Sequence, residues 1–295
     1  MTVTLSTIVQ DIYFELGQSE PIFAVTGGST TTAIDTTRSD LVSPPDIDRN
    51  KNDYLAVVEA DGAAPENEWV RITAYNDTTY TYTIGTLTAA LAAGDTVMIL
   101  KQGLLKIHDV IRAVNNGFQT IGDIPYIDKT SLDTAANQTE YEYPVTLKRN
   151  PPIAVYVQGQ TGDANDNLPV QVPFRYEPAS ASSTGLLYLP QLTSGRDLYL
   201  YVNTVHPDLT VYSSVLYEGL SKKLVVEAAI VNLLMRINSG KKGKDDFWVA
   251  RENDARKEVE RLRRELKPWR PKGARYAEYG GNTRRYPGDQ SIYDR

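Results

Sequence analysis

The apolar residues of this chain change their spacing repeatedly, and that alternation limits the fold more than any single motif does. Residues 4–17 place Leu5, Ile8, Val9, Ile12, Tyr13 and Leu16 at helical spacing. Thr4 or Ser6 is suited to cap the start, and Gly17 to end it. Over residues 21–100 the period falls to two: Val70, Ile72 and Ala74 alternate with Trp69, Arg71 and Thr73, and Tyr80, Tyr82 and Ile84 with threonines. YNDTTY reads as a hairpin turn and LAAGD as another turn. Helical spacing returns over 102–121 through Leu104, Leu105, Ile107, Val110, Ile111, Val114 and Phe118. Five short β-like runs follow, from EYEYPVTL to LYLYVNTV, with prolines 144, 169, 173 and 190 in or beside them. Residues 212–238 give the most apolar helix, through Val215, Leu216, Leu220, Leu224, Ala228 and Val231. Residues 244–267 give a last helix that Pro268 ends.

Helices scattered over a whole chain most simply pack together. The expected fold is therefore α+β: a helical bundle of about four helices with two inserted antiparallel β-domains and an extended C-terminal arm. The expected boundaries are an N-terminal bundle helix (1–20), a first inserted β-domain (21–100), a bundle helix (101–126), a second, sandwich- or barrel-like insert (127–210), two bundle helices (211–268) and the arm (269–295).

The composition excludes several chemistries. The chain has no cysteine, so disulfides and thiolate chemistry are absent. The N-terminal stretch MTVTLSTIVQDIYFELGQ reads as no signal peptide. The longest apolar run, VVEAAIVNLLM, is interrupted by Glu227 and Asn232 and is too short to cross a bilayer, so no membrane partner is expected. The histidines, His108 and His206, have no recognisable nucleophile beside them, and the chain reads as a non-enzyme. Asp46, Asp48 and Asn50 have the first spacings of a calcium loop, but Lys51 stands where glycine is needed and Val57 where the last carboxylate belongs. GDANDN (162–167) and GGSTTT read as turn features, so neither metal nor cofactor is expected.

The end of the chain, WRPKGARYAEYGGNTRRYPGDQSIYDR, has almost no aliphatic residue and cannot build a core. It is nonetheless rich in the residue types that dominate protein interfaces: Trp269, Arg270, Arg275, Tyr276, Tyr279, Arg284, Arg285, Tyr286 and Tyr293. A solvated tail is normally poor in aromatics. Basic and aromatic residues together can also bind single-stranded nucleic acid. Glu278, Asp289 and Asp294 within the arm, and a net charge of -6, favour a protein partner. In the last helix, Trp248, Ala255, Val259, Leu262 and Leu266 form a narrow seam. That seam can close the bundle or serve as a contact between subunits.

This layout resembles the head-to-tail adaptor (connector, or head-completion) proteins of tailed bacteriophages. The amphipathic helix LSTIVQDIYFELG, the helical pair 212–267 and the Arg/Tyr arm after Pro268 carry the resemblance. The segment from FAVTGGSTTTAIDTT to DTVMIL is similar to β-modules of phage structural proteins, with a Gly-Gly-Ser/Thr start and a late AAGD turn. Two large inserts depart from the smaller adaptors. The resemblance implies a virion protein at the head–tail interface, made in the host bacterial cytoplasm and forming a homo-oligomeric, dodecameric ring. It implies an arm docked on the portal protein, a platform for tail or neck proteins, and genomic DNA passing through without specific binding. The rival reading is a glycan-binding or decoration protein of the phage neck or tail, since exposed tyrosine faces stack on sugars.

Overall fold

In the computed structural model, Thr4 caps the first helix. Its hydroxyl accepts from the Thr7 N–H at 3.3 Å, and the Thr7 hydroxyl accepts from the Thr4 N–H at 3.1 Å. Helix α1 runs Leu5–Glu15 and stops before Gly17, which takes the left-handed backbone. The structure describes residues 2–37, 50–147, 150–158, 169–178, 185–239 and 246–266, and the backbone of 275–276. Three more helices follow: α2 (Ile107–Ile121), α3 (Lys222–Ser239) and α4 (Asp246–Glu265). The chain divides into two compact units, Met1–Ile121 with Pro207–Arg264, and Gly122–His206 with Glu265–Arg295.

The first unit holds the helices and a seven-stranded antiparallel sheet. Its strands are β1 (Phe23–Ala24), β2 (Gly27–Gly28), β3 (Thr32–Ile34), β4 (Tyr54–Glu59), β5 (Trp69–Asn76), β6 (Thr81–Ile84) and β7 (Thr96–Leu100), in the order β1-β7-β4-β5-β6-β3-β2. The two edge strands, β1 and β2, are separated in the chain only by Val25 and Thr26. The sheet must therefore curl until its edges meet, and it closes over one core that includes Leu55, Val57, Ile72, Tyr82, Val97 and Ile99. Gly28 is required at that closure, because a Cβ there would lie 2.6 Å from the Thr32 carbonyl oxygen and 2.9 Å from Leu91 Cβ. The LAAGD turn is held by Asp95, whose fully buried carboxylate accepts from the Ala92 N–H at 2.8 Å and the Asp61 N–H at 3.0 Å.

The rolled sheet joins the helices through a polar cluster. Gln102, between β7 and α2, donates from Nε2 to the Tyr13 hydroxyl at 2.7 Å and accepts at Oε1 from the first N–H of α2, Ile107, at 2.9 Å. Its own N–H donates to Asp53 Oδ1 at 2.7 Å, just before β4. The Tyr13 hydroxyl donates to the Leu105 carbonyl at 3.3 Å. Burial pushes the Tyr13 hydroxyl pKa up, with the Gln102 hydrogen bond acting the other way, so it stays protonated and can donate. Behind this cluster α2 and α3 pack closely at Gly117, where an added Cβ would sit 3.3 Å from Ala228 Cβ. α3 is buried on most of its surface; Lys222 pairs with Asp11 of α1 at 2.7 Å.

The second unit contains two four-stranded sheets. One has the order β11-β10-β14-β8, from β8 (Ile124–Asp128), β10 (Ala154–Val157), β11 (Val170–Val172) and β14 (Leu198–Thr204). The other has the order β15-β12-β13-β9, from β9 (Glu140–Glu142), β12 (Arg175–Glu177), β13 (Leu186–Tyr188) and β15 (Arg275–Tyr276). Val155, Leu198, Leu200 and Val202 of the first sheet share a core with Tyr141, Tyr176 and Leu187 of the second, which makes a small sandwich.

The expected helical bundle with two β-inserts does not form. The fold is mixed and strand-dominated, with four helices beside three sheets among the described residues. One reason is that the helices are shorter than their apolar stripes. Residues 212–221 are not helical: Leu5 and Ser6 donate to the carbonyls of Ser214 and Tyr212, Thr4 bridges Val215, and Gly219 is left-handed at φ +94°. Val215 is exposed there, while Leu216 and Leu220 are buried without a helix. Residues 102–106 likewise form a loop that feeds Gln102 into the polar cluster. The other reason is that the first sheet lies in one compact unit with the helices, tied to them by Tyr13, Asp53 and Gln102.

Two outcomes test the cluster. Tyr13→Phe should lower unfolding free energy by about 1–2 kcal/mol, and Gln102→Ala by about 2–4 kcal/mol because it strands two partners, read by urea denaturation. Burial raises the Asp53 pKa above its ordinary value, against the pull of the Gln102 N–H. A raised folded-state pKa penalises the ionised form, so the stability this group contributes falls as pH rises from the ordinary carboxylate value through the folded one. Asp53→Asn should therefore be more stable than the natural chain at neutral pH, with the difference vanishing in acid, measured by denaturation at both pH values.

Candidate functional site

The residues expected to meet partners lie on α4 and in the arm. α4 carries Asp246 in its first turn and Arg263 and Arg264 in its last, which complements the helix dipole at both ends. Ala255, Val259 and Leu262 fall on one helical face and are buried within their own subunit. Trp248 and Leu266 are half-buried at either end of this seam. Phe247 is exposed, with its ring edge-on to Trp248 at 5.1 Å.

Polar contacts hold α4 on α3. Arg251 pairs with the buried Glu227 at 3.0 Å and with Glu15 of α1 at 3.5 Å. Asn238 donates to Glu252 at 2.6 Å. Glu258 accepts from Arg261 at 2.8 Å and from Lys223 at 3.1 Å, and those two partners hold its carboxyl down to about 2. Glu227, which interrupts the apolar run in the sequence, is thus a structural ion-pair partner.

The arm provides one described feature. Arg275 and Tyr276 form β15 and pair in parallel with β12, Arg175 opposite Arg275 and Tyr176 opposite Tyr276. The other arm residues singled out from the sequence, Trp269, Arg270, Tyr279, Arg284, Arg285, Tyr286 and Tyr293, lie outside the described residues. β12 is held on its other side by β13. Tyr176 points into the sandwich core, its ring 4.9 Å from that of Tyr143. Across from it, the exposed Arg175 guanidinium lies 5.4 Å from the centre of the Tyr188 ring, and the Tyr188 hydroxyl donates to Glu177 at 3.1 Å. That hydrogen bond to the carboxylate, followed by burial, raises the Tyr188 pKa. Chemically, such an edge is suited to extended polypeptide, since backbone groups supply the bonds and flanking side chains the selectivity.

The β12 edge, where the arm pairs, is a structural feature that is not apparent in the sequence. LPVQVPFRY reads as one strand, yet it is two strands in different sheets, β11 and β12, divided at Pro173–Phe174. Pro173 is the signal that marks the break.

A second feature is a row of tyrosines on the outer face of the other sheet. Tyr156 and Tyr199 are directly opposed on β10 and β14, and Tyr201 lies two residues on, its ring 4.7 Å from Tyr156. All three are half-buried, and burial together with the neighbouring tyrosines raises the Tyr201 pKa. Gln171, opposite Tyr156, and Asn203 belong to the same face.

His108 is exposed and 3.5 Å from Asp109, while His206 is buried. Asp46, Asp48 and GDANDN lie outside the described residues. Asn50 donates to Glu20 at 3.2 Å. GGSTTT forms the β2–β3 hairpin, closed by the Ser29 N–H donating to the Thr32 carbonyl at 2.9 Å. Among the described residues no three His, Asp or Glu side chains converge as metal ligands. A cleft of about 750 Å³ beside Thr2 and Val3 is lined by residues 215–220, with Glu218 the one carboxylate among the described lining residues.

No family model matches the chain, and no curated protein does.

If the α4 seam closes on its own subunit, overfilling it must weaken the isolated chain. Ala255→Leu should lower unfolding free energy by about 1–3 kcal/mol at concentrations where the protein is monomeric. Unchanged monomer stability with altered self-association would assign the seam to a neighbour instead.

Proposed function

We propose that this chain is a structural virion protein, a head-to-tail adaptor of a tailed bacteriophage. In this reading it assembles as a ring, docks on the portal through its C-terminal arm and provides a platform for tail or neck proteins. Genomic DNA passes the ring without specific binding, in keeping with the net charge of -6. The arm carries the reading. After α4 the chain continues into a segment rich in Arg and Tyr, and its two described residues take strand form and bind through their backbone. A segment of this kind suits docking on another protein, because it brings strand-forming backbone and interface side chains without a core of its own. The same two residues pair with β12 of their own chain, so in the free subunit the arm is held in part by its own second unit.

A second reading rests on the tyrosine row at 156, 199 and 201. Aromatic rings with Gln171 and Asn203 beside them form a surface that suits saccharides, and they support an appendage that binds host glycan. Retention on host polysaccharide that is lost on Tyr199→Ala would favour it.

The adaptor reading is tested by removing residues 269–295. The truncated protein should keep its far-UV circular dichroism and thermal transition but no longer co-sediment with portal-bearing heads. Undiminished co-sedimentation would reject the role of the arm.

A further inference from the structure

The β12 edge holds a strand that reaches it from the end of the chain, and nothing in the pairing requires that strand to come from the same molecule. We infer that in the assembled state the β12 edge seats the C-terminal strand of a second copy of this chain. This deepens the adaptor reading and rests on it, because a ring brings identical chains side by side.

Three observations carry it. The contact is a short parallel pairing, Arg175 opposite Arg275 and Tyr176 opposite Tyr276, so an identical strand from a neighbour makes the same hydrogen bonds. The seat belongs to the sandwich and is independent of the arm: β12 is fixed by β13 on its other edge and by Tyr176 in the core, so it persists when the strand leaves. The covalent link from Leu266 to Arg275 can stretch to roughly 30 Å, so connectivity does not confine the strand to its own sandwich.

An exchange that conserves every hydrogen bond has little intrinsic preference, and local concentration then decides it. In a dilute subunit the chain's own strand is the nearest occupant. In a ring each seat also faces a neighbour's arm, and passing each arm to the next seat links the subunits head to tail. An empty seat would leave the N–H and C=O groups of the β12 edge open to unrelated strands, so occupancy by one copy or another also protects the subunit from misassociation.

The chain has no cysteine, which permits a direct test in the full-length protein. Arg175→Cys and Arg275→Cys chains, one carrying a size tag, are mixed at assembly concentration and oxidised. Exchange predicts a tagged–untagged disulfide dimer several-fold above the dimer formed by either variant alone. Arg175→Ser and Arg275→Ser chains control for the lost charges. The double variant in one chain should give internal bridges when dilute and linked multimers when concentrated. Mixed variants that yield no heterodimer, with a double variant bridged only internally at every concentration, would overturn the inference, as would a chain that stays monomeric throughout. That failure is distinct from failure of the adaptor reading, which stands or falls on whether truncated protein still binds portal-bearing heads.

Discussion

The first unit depends on the side chain of Gln102. Gln102 sits where the chain leaves the rolled sheet and enters α2; its side chain reaches Tyr13 of α1 and the N-terminus of α2, and its backbone N–H reaches Asp53 just before β4. Each of these groups is polar and at least partly buried, so each must find a partner or lose about 1–3 kcal/mol. An apolar junction would hold sheet and helices together but leave their register free. Directional bonds fix where β7 ends and where α2 begins. The backbone reinforces the same junction, with Glu20 donating to the Ile99 carbonyl and Lys101 donating to the Gln18 carbonyl.

Each unit then completes its own core in a different way. The first rolls a sheet until β1 and β2, neighbours in the chain, stand at its two edges. The second stacks two small sheets, and the chain steps from one to the other at Pro173–Phe174. Rolling leaves few strand edges unpaired, whereas stacking leaves edges that need an occupant or a guard. The edge at β12 follows from the sandwich architecture, and the two described residues of the arm, Arg275 and Tyr276, occupy it.

Much of the local structure was legible from the sequence. The Thr4 cap, the stop at Gly17 and the Asn76 turn, whose side chain accepts from the Thr78 and Thr79 N–H groups, are short-range chemistry that a few residues specify. The alternation along β5 holds through Val70 and Ile72 and then fails: a register shift leaves Ala74 exposed and buries Tyr75. A bulge depends on the partner strand, so no single-strand pattern contains it. The longest apolar stripe failed for a similar reason. Leu216 and Leu220 are buried in a segment of turns, bridged to the N-terminus at Val215, and the helical period there records burial without helix. Helices lengthened in this way make a bundle look sufficient, and that is why the expected fold class differs from the strand-dominated fold. The arm's composition was visible, but its seat lies a hundred residues away in sequence and is formed by a strand that only Pro173 sets apart.

The energetics of that seat explain why an arm can be both parked and available. A two-residue parallel ladder forms about two backbone hydrogen bonds, each worth roughly 1 kcal/mol net. Fixing the backbone of the same residues costs about 1–2 kcal/mol each. The terms nearly cancel, so β15 alone holds its place only marginally. Side chains along the arm, or repetition of the same weak contact around a ring, must supply the remainder. Repetition is the stronger lever, because linked weak contacts reach affinities that no one of them approaches. A strongly paired edge would trap the arm in its own subunit, and a seat with no affinity would leave both arm and edge open to unrelated partners. Marginal pairing is the condition under which one strand can serve the free chain and then an assembly.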